Sequence, residues 1–300
     1  MNKIHPQNQS PKAPLHSKLL NRSASPQRDS RNAPFSFRAL FRCSTGLILF
    51  GAAVIAAPSA GAAQILYDNG QENIISSTVA ASDWIRVQSS SGGTPTTVTF
   101  QDGADVRGNS LGRSVLGAHN SVVQINGGYF EHDVQIYNSA NVTITGGTLN
   151  GSLLLLESAT GHITGGTMGD LSVQGSASVT MTAGINEGNI FLSGHSASIA
   201  VSGGQFAQNS LWELVDTVTL TLTGTAFTLN GAPVGAGPIT ATSGTLSGTL
   251  EDGSSFDDIN FLRRSESFGL GTIQLNIIPE PSTFALASLG GLALLRRKRR

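Results

Sequence analysis

Between residues 121 and 224 the apolar side chains fall two positions apart in two recurring sets. The first set is Val123/Ile125, Val142/Ile144, Val179/Met181, Ile199/Val201 and Leu220/Leu222. The second is Val134/Ile136, Leu153/Leu155, Leu171/Val173 and Ile190/Leu192. The residues between them are mainly Thr, Ser and Gln, so the alternation predicts short strands with one apolar and one hydroxyl-rich face. Turn residues recur with the same period. Gly127-Gly128, Gly146-Gly147, Gly165-Gly166, Ala183-Gly184 and Gly203-Gly204 are 19, 19, 18 and 20 residues apart. Ser139-Ala140, Ser158-Ala159, Ser176-Ala177 and Ser196-Ala197 advance by 19, 18 and 20. Each repeat reads as strand, Gly turn, strand, Ser-Ala turn.

A unit this small cannot bury its own apolar face. Stacking equivalent strands about 4.8 Å apart makes a continuous core and pairs each backbone with the next. The predicted fold is all-β: a single-stranded, right-handed parallel β-helix, or β-solenoid, with rungs of about 19 residues. Propellers and sandwiches need longer, hairpin-linked strands at roughly doubled spacing. A calcium-binding nonapeptide solenoid needs recurring Asp after glycine, which is absent here. Residues 64–120 are expected to form an N-terminal β cap and first rung, with Thr97–Phe100 before Gly103 as the rung and Trp84 and Ile85 over the open end. Residues 121–224 form the solenoid, and 225–278, punctuated by Glu251-Asp252-Gly253, a C-terminal β-hairpin cap.

The two ends read differently. Residues 46–57, GLILFGAAVIAA, form an apolar stretch preceded by Arg38 and Arg42 and followed by Pro58 and small residues. This is a signal-peptide pattern with cleavage after Ala62 or Ala63, so residues 1–63 read as a disordered N-terminus plus signal peptide. As a helix, 12 residues span only about 18 Å against a hydrocarbon core of about 30 Å, which argues against a transmembrane anchor. The single cysteine, Cys43, precedes this stretch, so there is no lipidation site, and cleavage removes the only thiol.

The C-terminus, residues 279–300, contains Pro279-Glu280-Pro281, an apolar segment Phe284–Leu295 predicted as a short helix, and the basic run Arg296, Arg297, Lys298, Arg299, Arg300. This order resembles the PEP-CTERM sorting tail of Gram-negative bacteria. The resemblance covers only these residues. It implies that the basic run holds the tail at the inner membrane by the positive-inside bias. An exosortase then recognises Pro279-Glu280-Pro281 and releases the protein towards the cell surface or exopolysaccharide matrix.

Charge separates the ends from the middle. Of 18 Lys/Arg, eight lie at or before Arg42 and five in the terminal run. Residues 64–280 hold five Arg against 18 Asp/Glu, a net charge of about −13 that disfavours nucleic-acid binding. Catalysis on glycans needs paired carboxylates, or carboxylates with a basic partner. Glu131 and Glu187 share one offset from the Gly pairs, with Asn150 between them and Asp170 one residue later. Asp170 and Glu187 on adjacent rungs are candidates to share a cation, set against the reading of a solvated turn. No Lys or Arg lies between Arg113 and Arg263, which removes the usual base of a lyase. His119, His132, His162 and His195 occupy different rung positions, and no G-x-S-x-G elbow is present.

These features describe an exported, surface- or matrix-associated structural or adhesive solenoid that is not an enzyme and needs no cofactor. Its expected partners are signal peptidase and exosortase during transient inner-membrane association, then extracellular polysaccharide or other surface proteins. The alternatives are a β-helix glycan-processing enzyme, lyase or hydrolase-like, and a calcium-stabilised glycan-binding module.

Overall fold

Period-two alternation decides which side chains face inward, but the closure of each rung depends on how the turns are made. The computed structural model describes residues 63–109 and 111–279, all in strands and turns. The apolar tail segment and its expected helix lie outside the described residues. Two long stacks of parallel strands carry the fold. The first runs Glu72–Ile75, Thr97–Phe100, Val122–Ile125 and Asn141–Ile144. It continues through Thr160–Met168, Ser178–Asn186, Ser198–Val201 and Thr219–Leu229 to Thr272–Ile277. The second runs Gln64–Tyr67, Trp84–Val87, Arg113–Gly117, Asp133–Ile136 and Leu153–Leu155. It continues through Leu171–Gln174, Ile190–Ser193 and Leu211–Val215 to Ser255–Arg264. Each stack is nine strands deep, so the chain makes eight turns from first to last.

Both apolar sets point inward as alternation requires: Val123, Ile125, Val134, Ile136, Leu153, Leu155, Leu171, Ile190 and Leu192 are fully buried. One element is not visible as a period in the sequence. After the Gly turn comes a third stack of two-residue pairings: Asp105–Val106, Tyr129–Phe130, Thr148–Leu149, Thr167/Met168, Ile185/Asn186 and Gln205–Phe206. Each supplies a single inward residue per rung, so it leaves no alternation to read. Phe130, Leu149, Met168 and Asn186 are fully or almost fully buried there, and Phe130 packs edge-on against Phe100 at 5.0 Å.

Two turn columns keep the rungs in register. The second residue of each Gly pair has positive φ, from 79° at Gly166 to 113° at Gly204. At Gly147 a Cβ would also lie 2.9 Å from the carbonyl of Gly127 on the rung before. The other column takes left-handed φ at His119, Asn138, Glu157, Gly175 and Asp216. There the following hydroxyl bonds across rungs: Ser139 Oγ donates to the His119 carbonyl at 3.2 Å and Ser158 Oγ to that of Asn138 at 2.9 Å. The alanines behind these serines, Ala140, Ala159, Ala177 and Ala197, are completely buried.

The stacks run past the glycine-marked repeats at both ends. Ile85 is a buried core residue of the second rung rather than a lid, and Gln64–Tyr67 with Glu72–Ile75 forms the outermost rung, where Ile74 is 58% exposed. At the other end, Ser255–Arg264 and Thr272–Ile277 add a last rung. Ser243–Leu250 pairs antiparallel with both Thr219–Leu229 and Ser255–Arg264. Trp212 fills the core beneath this cap, with Phe206 at 5.2 Å and Phe256 at 5.4 Å. The Arg263 guanidinium donates to the carbonyls of Gly271 (2.6 Å), Ile239 (2.5 Å) and Ala241 (2.9 Å), tying three cap segments together. Asp216 Oδ1 accepts the backbone N–H groups of Glu266, Ser267 and Phe268 at 2.8, 2.8 and 3.2 Å. These bonds, that of Ser267 foremost, hold its carboxyl below the usual range against the opposing effect of burial.

Gly147→Ala combines a left-handed φ with a backbone clash and is expected to cost about 2–4 kcal/mol. Gly235→Ala, at an open site with ordinary φ, should stay within about 0.5 kcal/mol. Denaturant titration of both variants checks this contrast. A carboxyl whose folded pKa is depressed stabilises above its unfolded pKa and loses that contribution as pH falls through the folded value. Asp216→Asn should therefore lower Tm at pH 7 and flatten the loss of stability below about pH 4 that the native chain shows, as measured by thermal melts across pH.

Candidate functional site

Where the chain turns from the short stack into the second long stack, side chains on three rungs accept a backbone N–H of the next rung. Asp133 Oδ1 accepts the Ser152 N–H at 2.9 Å, Asp170 Oδ1 that of Asn189 at 2.7 Å, and Asn189 Oδ1 that of Leu211 at 2.8 Å. Each of these side chains is fixed by one polar atom. The other atom, Oδ2 of Asp133 and Asp170 and Nδ2 of Asn189, makes no hydrogen bond among the described residues.

Beside this corner run the outward residues of the second stack, Leu154, Ser172, Phe191 and Glu213, which are in register on successive rungs. Ser172 sits between Leu154 and Phe191, so a small side chain leaves a dip between two large apolar ones. Corner and column together bound a groove of about 310 Å³. Gln174 Nε2 donates to Ser172 Oγ at 3.0 Å, which leaves the Ser172 hydroxyl proton free to be donated elsewhere. At one end, Glu213 holds Arg264 at 2.6 Å, and Arg264 also meets Glu266 at 3.1 Å. A second hollow beside the Gly turns is bordered by the cap, where Asp252 Oδ2 and Ser254 Oγ accept the Gly204 N–H at 3.0 and 3.2 Å.

The acidic residues singled out in the sequence fall in two neighbouring columns. Glu131 and Glu187 share one column with Asn150 and Gly169, each following the short strand with its N–H on the preceding rung. Asp170 stands one position further on, in the corner column with Asp133, and its Oδ1 accepts the Asn189 N–H. Among the described residues no three His, Cys, Asp or Glu side chains are grouped to hold a metal ion. Sequence reasoning missed the groove, although a signal was present: Leu154 and Phe191 are apolar at positions where alternation calls for polar residues. Asp133 and Asn189 carried no signal, because their bonds depend on where the corner falls.

The ends of the solenoid bear on processing. Ala63 is the first described residue. Its N–H donates to Asp83 Oδ1 at 2.9 Å, and its carbonyl accepts the Trp84 N–H at 3.1 Å. Ala62 lies outside the described residues. At the other end the Ile278 N–H bonds the Gly224 carbonyl at 2.8 Å, and the next residue, Pro279, is exposed. Glu280, Pro281 and the basic run Arg296–Arg300 lie outside the described residues.

Asp170→Ala removes the acceptor of the Asn189 N–H and is expected to cost about 1–2 kcal/mol. If the carboxylate serves the backbone rather than a cation, Tm of the native chain should be the same in chelator and in millimolar calcium, as differential scanning calorimetry would measure.

No curated protein and no solved structure matches this chain. Residues 278–300 match the model of the PEP-CTERM protein-sorting motif, so directly after its last strand the β-solenoid carries a tail that implies export and processing by an exosortase.

Proposed function

We propose that the exported solenoid acts at the cell surface or in the extracellular matrix as a structural or adhesive element, without catalytic activity of its own. The observation that carries this reading is the direct junction of the sorting motif to a long, closed stack. Pro279 follows the last ladder bond by one residue, which leaves no separate domain between the fold and the tail. Removal of the tail by an exosortase at this junction releases a self-contained rod.

Catalysis is disfavoured by the way the corner is built. The residues that line the groove include no Lys or Arg, and Arg264, which reaches Glu213 at its edge, is engaged by two carboxylates, so the acidic corner has no free basic partner. Signal cleavage after Ala62 fits the N-terminal rung, because it turns the Ala63 N–H on Asp83 into an ammonium on a carboxylate, a stronger bond than the amide makes.

In a host with an exosortase, the wild-type protein should be recovered from the surface or matrix fraction with Ala63 as its first residue, and without its basic tail. Replacing Pro279-Glu280-Pro281 by alanines should keep the tail attached and the protein at the inner membrane. Intact-mass spectrometry and cell fractionation check both. Unchanged mass and location in the variant would contradict the sorting assignment. Glycan cleavage by the purified protein that is abolished by Asp170→Ala would overturn the non-catalytic reading.

A further inference from the structure

The geometry points to a binding site for an uncharged glycan chain in the groove between the Asp133–Asp170–Asn189 corner and the Leu154–Ser172–Phe191 column. This inference rests on the reading of the protein as a surface or matrix element and names the surface through which it would attach.

A polyol ligand presents closely spaced hydroxyls, which both donate and accept, and flat C–H faces. The groove supplies a counterpart to each. The free Oδ2 atoms of Asp133 and Asp170 accept. The Asn189 amide and the Ser172 hydroxyl donate. Phe191 and Leu154 flank the dip at Ser172 with apolar surface against which a sugar ring can lie. The polar groups do not have to be ordered when ligand arrives. Asp133, Asp170 and Asn189 are each held by a bond of 2.7–2.9 Å to the next rung, which spares the entropy of fixing them. Two of these features are unusual for a merely solvated strand face: large apolar residues at outward positions, and polar groups aimed beside them. The volume, about 310 Å³, lies at the lower end of small-molecule sites. The groove also runs from rung to rung along the stack, so a linear polymer can continue beyond it.

Charge selects among glycans. Asp133, Asp170 and Glu213 line the groove, and Arg264 beside it is taken by Glu213 and Glu266. Residues 64–280 carry five Arg against 18 Asp/Glu. A uronate or sulfated polymer is repelled by this field, and a neutral one is not.

The test is equilibrium binding of the purified exported protein to cellohexaose, chitohexaose and dextran, with alginate as the anionic probe. At least one neutral glycan should bind, and alginate should not. Phe191→Ala, and Ser172→Leu, which fills the dip from outside the core, should each weaken that binding at least tenfold. Phe191→Tyr, which keeps the ring, should retain it, so a loss caused by misfolding is distinguished from a loss of contact. No binding to any neutral probe, alginate bound as tightly as the best of them, or Ser172→Leu binding like wild type would overturn the site. Location is read separately. Phe191→Ala protein that still reaches and stays in the matrix removes this groove as the means of attachment but leaves the surface reading intact. Wild-type protein that binds glycan yet remains at the inner membrane does the reverse.

Discussion

The structure depends on one repeated interaction, the backbone hydrogen bond from each strand to the equivalent strand of the rung before. The Asn141 N–H reaches the Ser121 carbonyl, that of Thr160 reaches Ala140, and that of Ser198 reaches Ala177. A strand displaced by one residue would turn its apolar set outward, so register has to survive every change in rung length. Those lengths do change: Ile163 pairs with Met181, but Ile190 pairs with Trp212. The differences are taken up in the turns, where left-handed residues and a bulge near Thr164 absorb the slack while Val, Ile and Leu stay aligned inside.

A ladder of this kind is open at both ends, and the two ends are treated differently. At the C-terminal end the chain folds back antiparallel, fills the core with Trp212, Phe256 and Phe227, and uses two charged groups as fasteners. Arg263 gathers three carbonyls and Asp216 three N–H groups, so each charge is met by backbone dipoles. At the other end the first rung begins at Gln64, and its register is anchored by Ala63 on Asp83. The C-terminal end therefore closes just before the residues, 278–300, that match the sorting motif.

The corner column shows how a structural device becomes a surface with chemistry. A turn between strands leaves N–H groups without a carbonyl partner, half-buried at Ser152 and exposed at Asn189 and Leu211, and each takes an acceptor from a side chain. Asp133, Asp170 and Asn189 supply it, and in doing so they project their remaining polar atoms over the outward face. The same demand places two of the seven acidic residues between 121 and 224, Asp133 and Asp170, in one column along the stack beside Phe191 and Leu154.

Much of this architecture was legible in the sequence. The period-two runs from Val123 to Leu222 identified the strands and their inward residues, and the Gly-Gly and Ser-Ala columns located the turns, because alternation and left-handed φ are local properties. The tail was legible for the same reason, as Pro279-Glu280-Pro281, an apolar segment and five basic residues occur in order. The short third stack was not, since one inward residue per rung makes no period. Nor were the last rung at Ser255–Arg264, whose partner Leu211–Val215 lies about 50 residues earlier, or the groove, whose sides come from five successive rungs. Local chemistry therefore determined the strands, the turns and the sorting tail; which side chains meet across rungs depended on long-range register, which the tertiary structure alone decides.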